Sequence, residues 1–297
     1  MREKLGFILV MLTFGSIGLF VKNINLSSSE IALFRGAIGS LVIIFASIFL
    51  KKTFQLHATK RNLLLLIISG GAMGFNWIFL FEAYRYTTVA NATLSYYFAP
   101  VFVMLLAPYI LKEKWTVKKG ISIVAALAGL YLVINPGVGV SGDYQHVTGV
   151  GYGLLAATLY ASVILINQFI KNMDSFERTT VQLVMATLVL FPYVWFTENI
   201  SVSGLDATSF ILMLIVGLFH TGVAYLVYFS VLPKLSAQTV AVMSYIDPIS
   251  AVFMSAMLLS ESITFLQIAG GILILGSTLI SEIKPRKVAK PAKKEIM

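Results

Sequence analysis

Cysteine is absent from this chain, which excludes disulfides, thiolate metal sites and cysteine nucleophiles. Charge is scarce as well. Asp, Glu, Lys and Arg make up 12% of the 297 residues, against about 25% in ordinary soluble domains, so a water-facing surface cannot be built from them. Histidine occurs three times, without an HExxH spacing or a cluster with acids, and this argues against a catalytic metal. A GxxxxGK[ST] loop is missing too, so no ATP-driven step is expected and no cofactor is called for. What remains is apolar: 58% of residues are hydrophobic and mean hydropathy is +0.88. The expected solvent is a lipid bilayer.

Apolar stretches long enough to cross it occur at 5–21, 30–50, 62–81, 90–111 and 119–135. A second set follows at 150–170, 179–197, 209–232, 237–259 and 265–282, and ten helices are the expected count. The first stretch follows a charged start as in a signal peptide. It has no A-x-A cleavage site and is read as a retained span. Basic residues sort between alternate loops. One side collects 19 of the 22, the other has Lys22 and Arg85, and Arg35 falls inside a span. The positive-inside rule then puts both termini in the cytoplasm. The net charge of +9 is thus a topology signal, and no nucleic-acid partner is expected. Residues 284–297 read as a basic cytoplasmic tail near anionic lipid.

The second half repeats the first at an offset of about 148 residues. Aligned pairs include Phe81 with Phe229, Tyr97 with Tyr245, Pro100 with Pro248, Glu113 with Glu261 and Thr116 with Thr264. Five spans per repeat invert the second copy, so residues 5–135 and 150–283 are expected to be oppositely inserted five-helix repeats. The paired AP and DP prolines and the LKE and LSE glutamates resemble the EamA-type members of the drug/metabolite transporter superfamily. That resemblance implies secondary transport of small metabolites, often export, through a central cavity lined by helices one, three, four, six, eight and nine. Glu82 departs from the apolar or small residue the resemblance leads one to expect.

An ionisable group at mid-helix costs about 2.5 to 3.5 kcal/mol on insertion scales, so each one needs a partner, a cavity or a proton. Asp247 lies about 16 Å into the ninth span, next to Pro248, which frees a backbone carbonyl there. Arg35 and Glu82 share a depth on consecutive helices and are expected to pair at the outer side, as a salt bridge or a gate. His220, at mid-depth in the eighth span, is a packing residue or a proton partner facing Asp247. Arg35, Glu82, His220 and Asp247 are therefore the candidates for proton coupling or gating. Asn76, Trp77, Tyr97, Tyr225, Tyr245 and Asp247 are the candidates for binding substrate, through ring stacking, hydroxyls and charge.

The expected function is transport of a small organic metabolite, amino acid-like or cationic and amphiphilic, with export across the cytoplasmic membrane by alternating access as the expected direction and protons as a candidate coupling ion. The expected assembly is a monomer or homodimer. A membrane-embedded lipid-modifying enzyme would need clustered polar residues at one interface, and a non-transporting scaffold has no reason to keep Asp247 at mid-membrane.

Overall fold

The structure, a computed structural model, describes residues 1–49, 59–134, 145–198 and 205–282. The basic tail and the loop around Asp143 therefore lie outside the described residues. Every regular element among the described residues is helical: α1 (Arg2–Val21), α2 (Ser28–Phe49), α3 (Lys60–Tyr86), α4 (Val89–Tyr96), α5 (Ala99–Ile110) and α6 (Val117–Ile134) in the first half. The second half contains α7 (His146–Asn167), α8 (Ser175–Thr197), α9 (Ala207–Ile215), α10 (Ala224–Val231), α11 (Ala237–Met243), α12 (Ile246–Leu258) and α13 (Phe265–Glu282). Joining α4 with α5, α9 with α10 and α11 with α12 gives nine segments that are long and apolar enough to span a bilayer. The shorter apolar stretch Phe265–Ser281 of α13 completes the two five-helix repeats. The surface inverts the usual soluble pattern, with Phe45, Phe49, Leu188, Trp195, Phe196 and Phe253 all exposed, as lipid-facing helices require.

Three departures from continuous helix position the site. The fourth span breaks between α4 and α5 and the ninth between α11 and α12, each at matched positions about four residues before Pro100 or Pro248. A proline ring clashes with the carbonyl four residues earlier and supplies no amide hydrogen, so both breaks follow from the sequence. In the eighth span, Val216–Val223 forms a π-turn between α9 and α10. There the Thr221 hydroxyl donates to the Val216 carbonyl at 3.2 Å, five residues back. The matched stretch of α3 is ordinary α-helix, so this widened turn distinguishes the two repeats.

Close crossings hold the repeats together. A Cβ on Gly129 of α6 would lie 2.6 Å from the Gly270 carbonyl of α13, and one on Gly70 of α3 would lie 2.8 Å from the Gln182 carbonyl of α8. Only glycine permits backbones this near. Antiparallel α3 and α7 meet at both ends. The Asn62 amide donates to the Lys171 carbonyl at 3.0 Å, and Thr87 bonds His146 at 2.7 Å. The end of α7 therefore lies at the opposite face of the bundle from the end of α3.

Candidate functional site

A cavity of about 810 Å³ opens between the repeats, within the size range of small-molecule sites. Its wall carries Tyr96 and Tyr97 at the α4–α5 break, Tyr160 of α7, Tyr225 and Tyr228 of α10, and Tyr245 at the α11–α12 break. Tyr96 touches two of the others: its centroid is 5.5 Å from that of Tyr160, and it meets Tyr97 edge-on at 6.0 Å. Asn167, Arg178 and Leu235 also line the cavity, so it extends to the face that bears the end of α7.

Asp247 sits on the first turn of α12 and is half-buried. The Tyr97 hydroxyl donates to its Oδ2 at 2.5 Å, which ties the carboxylate of one repeat to a cavity-wall ring of the other. The matched Tyr245 instead bonds Thr278 at 2.9 Å. At the position matching Asp247 the first repeat has Ala99, so the charge is one-sided. The α1 backbone closes over this turn. A Cβ on Gly15 would lie 2.1 Å from the Ser250 Oγ and 2.5 Å from the Asp247 carbonyl oxygen.

The opposite face is shut by a clamp. Lys22, just past α1, donates to Glu261 Oε1 at 2.6 Å, and the Val89 amide at the start of α4 donates to Glu261 Oε2 at 2.9 Å. Glu261 keeps only 4% side-chain exposure there. A separate cleft of about 540 Å³ lies above the clamp, lined by Asn23, Asn25, Ser28 and Arg85. Nearby, Ser28 donates to Glu82 at 2.6 Å and Ser29 donates to Glu198 at 2.6 Å, linking α2 to α3 and to the end of α8.

The expected pairing of Arg35 with Glu82 is not formed. The buried Arg35 guanidinium donates from Nε to the Thr221 hydroxyl at 2.8 Å and lies over the Trp77 ring at 4.5 Å. Glu82 instead faces Ser28 and Arg85, the latter at 3.6 Å. Matched depth on neighbouring helices fixes position along the membrane normal and leaves direction around each helix axis open. Arg35 points towards the π-turn, and Glu82 towards Arg85 and the start of α2. A double-mutant cycle of Arg35→Met with Glu82→Gln is accordingly expected to be additive within about 0.5 kcal/mol, whereas Arg35→Met with Thr221→Val should be strongly non-additive in folded yield on heating. Coupling in the first cycle and additivity in the second would reverse this assignment.

Of the two placements open to His220, the structure shows the packing one rather than the one facing Asp247. Its Nε2 bonds Ser16 at 3.0 Å, its Nδ1 faces the Ile215 carbonyl at 3.4 Å, and Phe20 packs edge-on against the ring at 4.7 Å. Both ring nitrogens are therefore occupied within the α1–π-turn interface. Asn76 and Trp77 do not reach the cavity either. The Asn76 amide donates to the Ala156 carbonyl at 2.6 Å between α3 and α7, and Trp77 is covered by Arg35. Tyr97, Tyr225 and Tyr245 do line it.

The EamA-like transporter family model matches residues 2–135 and again 147–282. The chain belongs to this family. An uncharacterized transporter of Bacillus subtilis, YxxF, is 27% identical over 277 residues, covering 93% of this chain and 88% of its own. Mouse solute carrier family 35 member G1 is 26% identical over 288 residues, covering 91% and 75% respectively. A solved crystal structure of a protein superposes with a TM-score of 0.63 at 15% identity, covering 95% of this chain and 97% of that one, and so shares the fold. This EamA-like chain is thus a multi-pass membrane transporter, with a small-molecule substrate and the bilayer as its surroundings.

The Lys22–Glu261–Val89 clamp of this EamA-like protein is not among the sequence-based expectations. Two signals for it are present: Glu261 is half of a matched repeat pair, and Lys22 is one of the two loop bases that fall outside the basic side. The contact joins residues 239 apart in the chain, and no local spacing encodes it.

Proposed function

We propose that this protein is a secondary transporter that exports a small organic compound with a cationic, amphiphilic or amino-acid-like group by alternating access. The observation that carries the reading is the ring of six tyrosines joined to Asp247 through Tyr97. Aromatic faces attract ammonium and guanidinium groups, and a nearby carboxylate adds charge complementarity. The substrate-binding set is Tyr97, Tyr225, Tyr245 and Asp247, with Tyr96, Tyr160 and Tyr228 completing the wall. Protons are the proposed coupling ion, with Asp247 as carrier, and Arg35, Glu82 and His220 act in the moving helix interfaces rather than on substrate.

With 19 of 22 bases on one side, the protein sits in the cytoplasmic membrane with both termini inside, as a monomer or homodimer. Residues 5–135 and 150–283 form the two rocking units, and 284–297 the tail. In that orientation the cavity opens to the cytoplasm and the Lys22–Glu261 clamp closes the outside, an inward-facing state. The test is uptake by proteoliposomes of a panel of organic cations, zwitterions and anions under an imposed proton gradient. Gradient-dependent uptake of cationic or zwitterionic members is expected, with anions excluded. Uptake of anions alone would overturn the substrate class, and equal uptake with and without the gradient would overturn proton coupling.

A further inference from the structure

The glutamate and the lysine of the outer clamp each have a counterpart at the inner face, and there the two are not paired. Glu261 follows Ser260, whose φ of 53° ends α12 in the left-handed region; Glu113 follows Lys112, whose φ of 56° ends α5 in the same way. The two backbones thus present their glutamates alike. Lys22 opens a Lys-Asn dipeptide one residue past α1, and Lys171 opens a second four residues past α7, the matching helix, within one residue of the repeat offset. Capping groups repeat as well, since Ser27 and Glu30 start α2 while Asp174 and Glu177 start α8. At the outer face glutamate and lysine meet at 2.6 Å, with the carboxylate 4% exposed. At the inner face Glu113 is 49% exposed and takes Lys119 at 2.7 Å, six residues along its own chain. Lys171 is exposed and makes no ion pair among the described residues.

We propose that Glu113 and Lys171 are the inner latch: when the outer clamp opens, Glu113 leaves Lys119 and closes on Lys171 as Glu261 now closes on Lys22. The inference rests on the alternating-access reading above. Related repeats exchange conformations when such a transporter turns over, so the arrangement at the closed face of one state describes the closed face of the other. The exposed Lys119 pair is worth little, which makes exchange of partner inexpensive, whereas a shielded pair gains from loss of solvent screening. Each latch then holds one state, and the balance between them sets how long the cavity faces either side.

The test uses the full chain, which needs no cysteine removal, with Ser244→Cys as a reporter in the cavity wall. Labelling by a membrane-impermeant maleimide is measured in right-side-out and inverted vesicles, normalised to folded protein. Glu261→Gln is expected to shift labelling towards the outside, and Glu113→Gln or Lys171→Gln towards the inside, each by about tenfold in the ratio. The charge-exchanged Glu113→Lys/Lys171→Glu pair should bring the ratio back to within about twofold of the reporter parent, which a merely structural role would not do. A shift with Glu261→Gln but none with Glu113→Gln or Lys171→Gln, or no restoration by the exchanged pair, overturns the inner latch and leaves alternating access standing. Absence of outside labelling in every variant, Glu261→Gln included, overturns alternating access itself and the latch with it.

Discussion

Asp247→Asn is expected to reach the membrane folded, at a yield equal to or above that of the parent, and to lose at least about tenfold in transport together with its dependence on pH. Asparagine keeps the size of the side chain, and its Oδ1 still accepts the Tyr97 hydroxyl that now bonds the carboxylate at 2.5 Å. What it removes is a charge whose placement in the bilayer interior costs about 2.5 to 3.5 kcal/mol on insertion scales, so stability should not suffer. Ala99, at the matching position, shows that the broken helix itself needs no carboxylate. Tyr97→Phe separates charge from orientation. It keeps the ring in the cavity wall and deletes one hydrogen bond to a charged group, worth about 1.5 to 3 kcal/mol, so a loss of about tenfold or more is expected with pH dependence retained. Folded yield by size-exclusion chromatography and transport in liposomes against pH decide the matter. Normal pH-dependent transport by the Asn variant would remove Asp247 from the mechanism.

Gly15→Ala should damage transport far more than folding, and Gly129→Ala should do the reverse. Both positions lie under a backbone carbonyl at nearly the same distance: a Cβ would lie 2.5 Å from the Asp247 oxygen in the first case and 2.6 Å from that of Gly270 in the second. Overpacking of this kind typically costs about 1 to 3 kcal/mol as helices separate. At Gly15 the separation displaces the turn that carries Asp247, so transport per folded molecule should fall about tenfold or more; misplacement by about 1 Å suffices for losses on that scale in catalysis. At Gly129 the separation falls between α6 and α13, away from Asp247, so thermal stability should drop while transport per folded molecule stays within about twofold. Equal transport losses in the two variants would show that helix packing in general, rather than the placement of Asp247, limits turnover.

Residue order alone specifies the class of molecule, the repeat and the places where helices break. Lipid offers no hydrogen bonds to an exposed backbone, so apolar runs of this length become helices, and Pro100 and Pro248 interrupt them at matched positions because a proline ring excludes the carbonyl four residues before it. It also reached the cavity-wall tyrosines Tyr97, Tyr225 and Tyr245, since depth and repeat symmetry can both be counted along the chain. The partners of the buried polar groups emerge only from the packing of helices distant in the chain. Arg35 and Glu82 share a depth, yet the first turns to Thr221, 186 residues away, and the second to Ser28. His220, inside the π-turn, turns to Ser16. Glu261 joins Lys22 and the start of α4. The physical reason is the same throughout: hydrophobic length and spacing fix how deep a side chain lies, whereas its direction around the helix axis is set by which neighbour packs on which face, and that is decided by close contacts such as Gly15 on Asp247 between residues far apart in the chain.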